Sequence, residues 1–310
     1  MVHRFILKRL VMMIPVLLGV IIIMYTLIHI TPGCPARIIL GDAAPYESIE
    51  QLREEMGLND PFLVQLTRYI VGVVQLDFGE SFVTRRPVFD EIAARFPNTM
   101  QLAAMSVVLA LIIGIPLGII SATKQYTIFD GGATFIGLLG VSIPNFWLGM
   151  LMIIFFAVEP FRILPPSGFS TPLHWIMPTI AIGASSSAII MRMTRSSMLE
   201  VIRQDYIRTA RAKGQKESTV IFRHCLRNAL IPVTTVAGLQ FGALLGGAVL
   251  TETIFAIPGL GAFIVGAIGQ RDHMIMIGGV LLIAMAFSFV NLAVDILYAF
   301  IDPRIRSQYR

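Results

Sequence analysis

The chain has 310 residues, of which 55% are apolar and only 14% charged, with a net charge of +5 and a mean hydropathy of +0.77. Soluble domains average about 45–50% apolar and about 25% charged residues, so this deficit in charge excludes an ordinary soluble protein and places the chain in the membrane class. Its two cysteines, Cys34 and Cys225, supply neither a disulfide framework nor a metal-ligand spacing.

In chain order, Val11–His29 is the first apolar run, preceded by Arg4, Lys8 and Arg9. It is about a full span long and no small-residue cleavage motif follows it, which predicts an uncleaved anchor rather than a secretory signal. Residues 30–98 are polar and mixed. Within them Glu47–Met56 reads as a short acidic helix, and Pro61–Val74 as a second helix with Phe62, Leu66, Tyr69 and Val73 on one face. Arg85-Arg86-Pro87 then turns the chain into Val88–Phe96. Five more apolar runs follow: Met100–Ala122, Gly132–Val158, Ile176–Met193, Leu230–Leu250 and Met274–Ile301. Each is near the roughly 20 residues that cross about 30 Å of hydrocarbon.

The expected fold is therefore an all-α integral membrane protein with six transmembrane helices. Its segments are 1–29 (tail and first span), 30–98 (external helical subdomain), 99–193 (spans two to four), 194–229 (cytoplasmic loop), 230–301 (spans five and six, with an external loop at 251–273) and 302–310 (tail). Charge sets the orientation. Of 24 Lys and Arg residues, 16 fall in the two tails, the 123–131 turn, the 194–229 loop and Arg192 at its edge, whereas 13 of the 19 acids fall on the opposite side. Basic segments near spans stay cytoplasmic, so both termini and the 194–229 loop are expected inside. Residues 30–98 carry ten acids against six bases. They form either a cap packed on the spans or a surface for a partner with a basic patch.

The loop is the most informative stretch. Residues 203–228 read as two amphipathic helices joined at Gly214, a residue that tolerates the left-handed conformation ending a helix. Tyr206, Ile207, Ala210 and Gly214 share a face, and Arg208, Arg211 and Lys213 point elsewhere. A second helix at about Glu217–Asn228 interleaves Val220, Ile221 and Leu226 with Arg223, His224 and Arg227. The run Asp205-Tyr206-Ile207-Arg208-Thr209-Ala210-Arg211-Ala212-Lys213-Gly214, with His224, Leu226-Arg227-Asn228-Ala229 and Ile231-Pro232, resembles the ATPase-docking loop of ABC importer permeases. It is closest to the dipeptide, oligopeptide and nickel permease family, of the type I importer architecture. Arg4–Pro35, Gly57-Leu58, Asp77-Phe78-Gly79, Gly238-Leu239-Gln240, Thr251-Glu252, Pro258-Gly259-Leu260-Gly261 and Asn291–Arg306 are similar to that family in the same order.

The resemblance implies a permease that is half of a pore. Its implied partners are a second homologous permease subunit, two ABC ATPase subunits holding ATP and Mg, and an extracytoplasmic solute-binding protein. The docking set would be Asp205, Tyr206, Ile207, Arg208, Ala210, Arg211, Lys213, Gly214, His224 and Arg227, with Tyr206, Ile207, Ala210 and Gly214 entering an ATPase cleft. The implied substrates are short peptides, then nickel complexes or glutathione-like solutes. The implied location is a bacterial or archaeal cytoplasmic membrane.

Residue chemistry fits a subunit that works with others. No G-x-x-x-x-G-K-[ST] phosphate loop, H-E-x-x-H or G-x-S-x-G occurs. No catalytic residues, metal site or cofactor are therefore expected on this chain, membrane lipid is its other contact, and nucleic acid is not a partner. A stand-alone transporter or channel is the competing reading. An intramembrane enzyme would need an acid–base or metal constellation that the sequence lacks. Polar residues within spans are expensive and face protein or water. Asn145, Ser185, Gln240 and Asn291 are candidate pore-lining groups, with interhelical hydrogen bonding as the alternative role. Asp295 is expected to pair with a cytoplasmic base such as Arg304 or one in the loop. His29 and Cys34 are close in sequence and read as an unrelated membrane-edge pair rather than a soft-metal site. Pro32-Gly33-Cys34-Pro35 has a cysteine where many relatives would have an acid. Pro116, Pro144 and Pro178 are expected to kink their spans, the Gly114 and Gly118 pair to permit tight packing, and Leu244-Leu245 to form an apolar constriction.

Overall fold

A computed structural model describes residues 2–301 except Pro32 and Asp42. The tail 302–310, with Arg304, lies outside the described residues. The chain is a helical bundle, and the one β-bridge among the described residues joins Glu80 to Pro87. Its helices are α1 (Val2–Ile30), α2 (Pro35–Leu40), α3 (Tyr46–Glu55), α4 (Phe62–Val74), α5 (Val88–Thr123), α6 (Ile128–Ser142) and α7 (Asn145–Met152, continued by a π-helical turn Ile153–Val158). They continue as α8 (Pro172–Ile202), α9 (Asp205–Ala212), α10 (Glu217–Thr219), a π-helical turn Val220–Cys225, α11 (Leu226–Gly247), α12 (Val249–Ile254), α13 (Leu260–Gln270) and α14 (His273–Ile301).

Five helical stretches are long and apolar enough to cross a membrane, and the pair α6 and α7 makes a sixth if counted together. That pair is bent by 96° at Ile143-Pro144. Proline removes a backbone donor, and the residue before it is pushed out of the helical region, so the third apolar run is broken outright rather than kinked. Pro116 and Pro178, by contrast, are accommodated inside continuous α5 and α8. Two further boundaries differ from the sequence reading. Val88–Phe96 is not a separate piece: α5 begins at Val88, directly after Pro87, with Asp90 and Glu91 in a first turn that favours negative charge. Likewise the second loop helix does not stop near Asn228, because helix runs without interruption from Glu217 to Gly247.

The bundle has two ends. At one, α4 and the 77–87 loop pack with α13, α14 and the start of α5. Leu66, Tyr69, Phe78, Val88, Ile92, Leu260, Ile275 and Leu281 form their shared core, with Phe62 and Val73 partly buried against it, so the expected face of α4 is the packed one. Asp272 fastens this end. Its carboxylate accepts from the Ser81 hydroxyl and the Phe82 amide, and from the Ile275 amide in the first turn of α14. In the middle, α5 lies along α8, its most extensive partner. Gly114 and Gly118 sit against the backbone of Ser187 and Met191, where a Cβ would approach within 2.7 and 2.8 Å. Tight packing is thus their role.

At the other end α9 is seated on the bundle. The outward faces of α1 and α6 remain apolar and exposed, as at Ile14, Ile23, Phe135 and Leu138. In a bilayer such surface is matched to lipid rather than to water.

Candidate functional site

α9 lies on the bundle through one face. Ile207 is fully buried and Ala210 nearly so, in a cluster with Ile119 and Ala122 of α5, Met198 of α8, and Val220, Cys225 and Ala229. Burying an isoleucine side chain is worth about 1.5–3 kcal/mol, enough to hold a short helix that would be marginal alone. Polar contacts complete the seat. Arg211 makes a two-pronged bond to Glu217 at 2.7 and 3.1 Å across the turn. The Asn228 amide donates to the Tyr206 hydroxyl at 2.7 Å, and His224 pairs with Gln215 at 2.7 Å. Glu217 raises the Arg211 guanidinium above its ordinary pKa, and Arg211 holds the Glu217 carboxyl below its own. Gly214 has φ +75°, a left-handed conformation that ends α9 and costs a side-chain-bearing residue energy.

This geometry divides the expected docking set. Ile207 and Ala210 point into the chain's own core and are not available to a docking protein in this conformation; they are anchors. Arg211 and His224 are engaged with Glu217 and Gln215. The exposed group is Asp205, Tyr206, Arg208, Lys213, Gly214 and Arg227, of which Arg208 and Asp205 form an open ion pair at 3.8 Å. Phe222, which the sequence reading passed over, is also exposed here. Helical periodicity could show that Ile207 and Tyr206 differ by about 100° around α9, but not which of them faces the bundle.

The four candidate pore residues do not form one group. Gln240 donates to Ser186 at 3.3 Å, linking α11 to α8, and Ser185 bonds back to the Ile182 carbonyl of its own helix. Asn145 opens α7 at the 96° break. Asn291 lies elsewhere, in a cleft of about 240 Å³ between α1 and α14 that Arg9 and Asp295 also line. There Asp295 pairs with Arg9 at 2.8 Å. Among the described residues its base therefore comes from α1, which passes beside it, and not from the loop; Arg304, the other base expected for it, lies outside the described residues. Leu245 is buried rather than lining an open constriction.

Two polar clusters were not anticipated. Glu252 on α12 is fully buried, and its carboxylate accepts from the Thr99 hydroxyl at 2.6 Å and from the amides of Gly261 and Ala262. Thr99 in turn accepts from the Leu260 amide at 2.8 Å. Together they satisfy the first three amides of α13, which has no side-chain cap of its own. A Cβ on Gly259 would lie 2.2 Å from the Glu252 carboxyl carbon, which accounts for the glycine in Pro258-Gly259-Leu260-Gly261. Burial pushes the Glu252 carboxyl above its ordinary pKa, against the pull of these donors. The second cluster joins Asp130, Ser121 and Arg195. The Arg195 fork reaches both Asp130 oxygens at 3.0 Å and the Ser121 hydroxyl at 2.9 Å.

Among the described residues no three His, Cys, Asp or Glu side chains group as metal ligands. His29 stacks edge-on against Phe62, and Cys34 precedes α2 as a free thiol.

A polytopic helical bundle that carries a short basic helix on one end has the architecture of ABC importer permeases. Solved structures agree on the fold. The inward-facing MetNI methionine ABC transporter matches 68% of this chain and 96% of its own at TM-score 0.57 and 19% identity. An amino acid ABC transporter matches 69% and 94% at TM-score 0.51 and 14% identity. This chain belongs to the family of binding-protein-dependent transport system inner membrane components, whose model matches residues 114–307, with the family's N-terminal model matching residues 1–103. Among its curated relatives, the dipeptide transport system permease protein DppB of Alkalihalophilus pseudofirmus is 44% identical over 96% of this chain and 98% of its own. The glutathione transport system permease protein GsiC of Escherichia coli K12 is 44% identical over 98% and 99%. The chain is accordingly a multi-pass transport permease subunit of the inner membrane.

Proposed function

We propose that this chain forms half of the translocation path of an ATP-driven importer of short peptides, in which α9 is the element that an ATPase subunit grips. The observation that carries this is the two-sided character of α9: Ile207 and Ala210 fasten it to three helices while Tyr206, Arg208 and Lys213 face outward. Such a part transmits a push on its outer face to the spans beneath it. The bases clustered around α9 support a cytoplasmic side for that end and for both termini, with α2–α4 on the opposite side. A second permease subunit completes the path, two ATPases bind ATP and Mg, and an extracytoplasmic binding protein delivers the solute. The relatives' names point to peptides and peptide-like thiols as its cargo.

The test replaces only outward groups: Tyr206→Ala combined with Arg208→Glu and Lys213→Glu, in the chain co-expressed with its ATPase and second permease subunits. The variant is expected to insert and fold normally and to lose co-purification with the ATPase. Undiminished co-purification would overturn the docking role. Cargo is read separately, by measuring which of a dipeptide set, glutathione or nickel complexes the cognate binding protein retains.

A further inference from the structure

We propose that the Ser121–Asp130–Arg195 triad is the joint that carries displacement of α9 to the broken third span. The proposal rests on the docking role of α9 given above. The triad joins three helices where they meet the α9 seat. Ser121 is the neighbour of Ala122, and Arg195 lies one turn before Met198; both Ala122 and Met198 are in the cluster that buries Ile207. A push on α9 therefore moves the two helix ends that hold Ser121 and Arg195.

The third member stands on α6, which contributes no residue to the cluster that buries Ile207. Asp130 is in the first turn of α6, with only 9% of its side chain exposed. Arg195 grips both of its oxygens, and a planar two-pronged bond fixes orientation as well as distance. One of those oxygens also accepts from the Tyr126 amide at 3.0 Å, and Tyr126 holds φ +62°, a conformation seldom taken by a bulky residue. One carboxylate thus fixes both the turn into α6 and the orientation of its first turn.

Among the described residues this is the only side-chain ion pair or hydrogen bond joining α6 to another helix. Its outer face, with Ile128, Phe135, Ile136 and Leu138, is exposed. Above the triad α6 rests on α8 through close contacts at Gly137 and Gly140. At Ile143-Pro144 it breaks into α7, whose Gly149 sits on Phe255 and Ala181. With its start gripped and its end hinged, α6 can turn as a lever when Arg195 moves. The three residues are positioning residues: they touch neither cargo nor nucleotide.

The test uses the complete transporter in proteoliposomes with its binding protein and cargo, and two variants, Asp130→Asn and the milder Arg195→Lys, which keeps the charge and loses the fork. Three quantities are read: co-purification of the ATPase, ATP hydrolysis, and cargo imported per ATP hydrolysed. Co-purification and hydrolysis are expected to stay within about twofold of the parent, whereas import per ATP falls about tenfold or more in Asp130→Asn and less in Arg195→Lys. Spin labels at Leu138 and the exposed Ala212 should show α9 still shifting on nucleotide binding while α6 no longer follows. Unchanged import per ATP in both variants overturns the joint. Failure of both variants to assemble also overturns it, leaving the triad a fastening of the fold alone. Loss of ATPase binding in the α9 variants, by contrast, bears on the docking role and not on the joint.

Discussion

Glu252→Ala offers the sharpest quantitative test of the packing argument. The substitution removes the acceptor for the Thr99 hydroxyl and for the amides of Gly261 and Ala262 in a site with no solvent exposure. A buried donor left without a partner costs about 1–3 kcal/mol. The Thr99 hydroxyl can rotate to another acceptor, so the two amides and the vacated space over Gly259 dominate, for a loss of roughly 3–6 kcal/mol. Glu252→Gln keeps one carbonyl acceptor of the same size and should cost roughly 1–2 kcal/mol. The assay is unfolding in detergent followed by tryptophan fluorescence, since buried Trp175 lies in the cluster that contains Phe255 and Ile257 beside this site. The pH dependence follows from the raised carboxyl. Between its ordinary pKa and the higher folded value, the folded state binds more protons than the unfolded one. Stability from this group is thus full below the ordinary carboxyl pKa and is lost as pH rises through the folded value. Glu252→Gln should erase that slope. An alanine variant as stable as the parent, or a glutamine variant worse than alanine, would refute the capping argument.

Other substitutions test the remaining contacts. Ile207→Ala should cost about 2–4 kcal/mol of local stability at the α9 seat, raising the undocked fraction about 30-fold or more, read as faster tryptic cleavage at Arg208 and Arg211; Tyr206→Ala, which loses only the exposed bond from Asn228, should raise that rate far less. Gly118→Leu forces a side chain into the Thr194 and Met191 contact, and is expected to lower the unfolding temperature by the equivalent of about 1–3 kcal/mol or more, measured by the same fluorescence assay. In intact cells, a membrane-impermeant maleimide should label half-exposed Cys34 and spare buried Cys225; labelling of Cys225 alone would reverse the assigned orientation.

Several features were legible in the sequence because they depend on neighbours along the chain. Hydropathy marks the spans, since a helix crossing lipid must be apolar over its own length. Gly214 marks the end of α9 through its backbone freedom, and the period of Phe62, Leu66, Tyr69 and Val73 gives the packed face of α4. The docking-loop run Asp205–Gly214 also pointed to the family. What the sequence could not supply are pairings across the chain. Thr99 meets Glu252 over 153 positions, Asp130 meets Arg195 over 65, and Asp295 pairs with Arg9 of the first helix. Which face of α9 is anchored and which is free was likewise undecided, because an apolar residue beside a tyrosine on one short helix suits either surface.

By itself, then, the order of residues determined which stretches are helical, what solvent they cross and which of their residues are too polar to face lipid. Only tertiary structure decided what those polar groups are for. A carboxylate becomes a helix cap, a strut or a surface charge according to which donors the other helices bring within about 3 Å of it, and that distance is set by packing rather than by sequence.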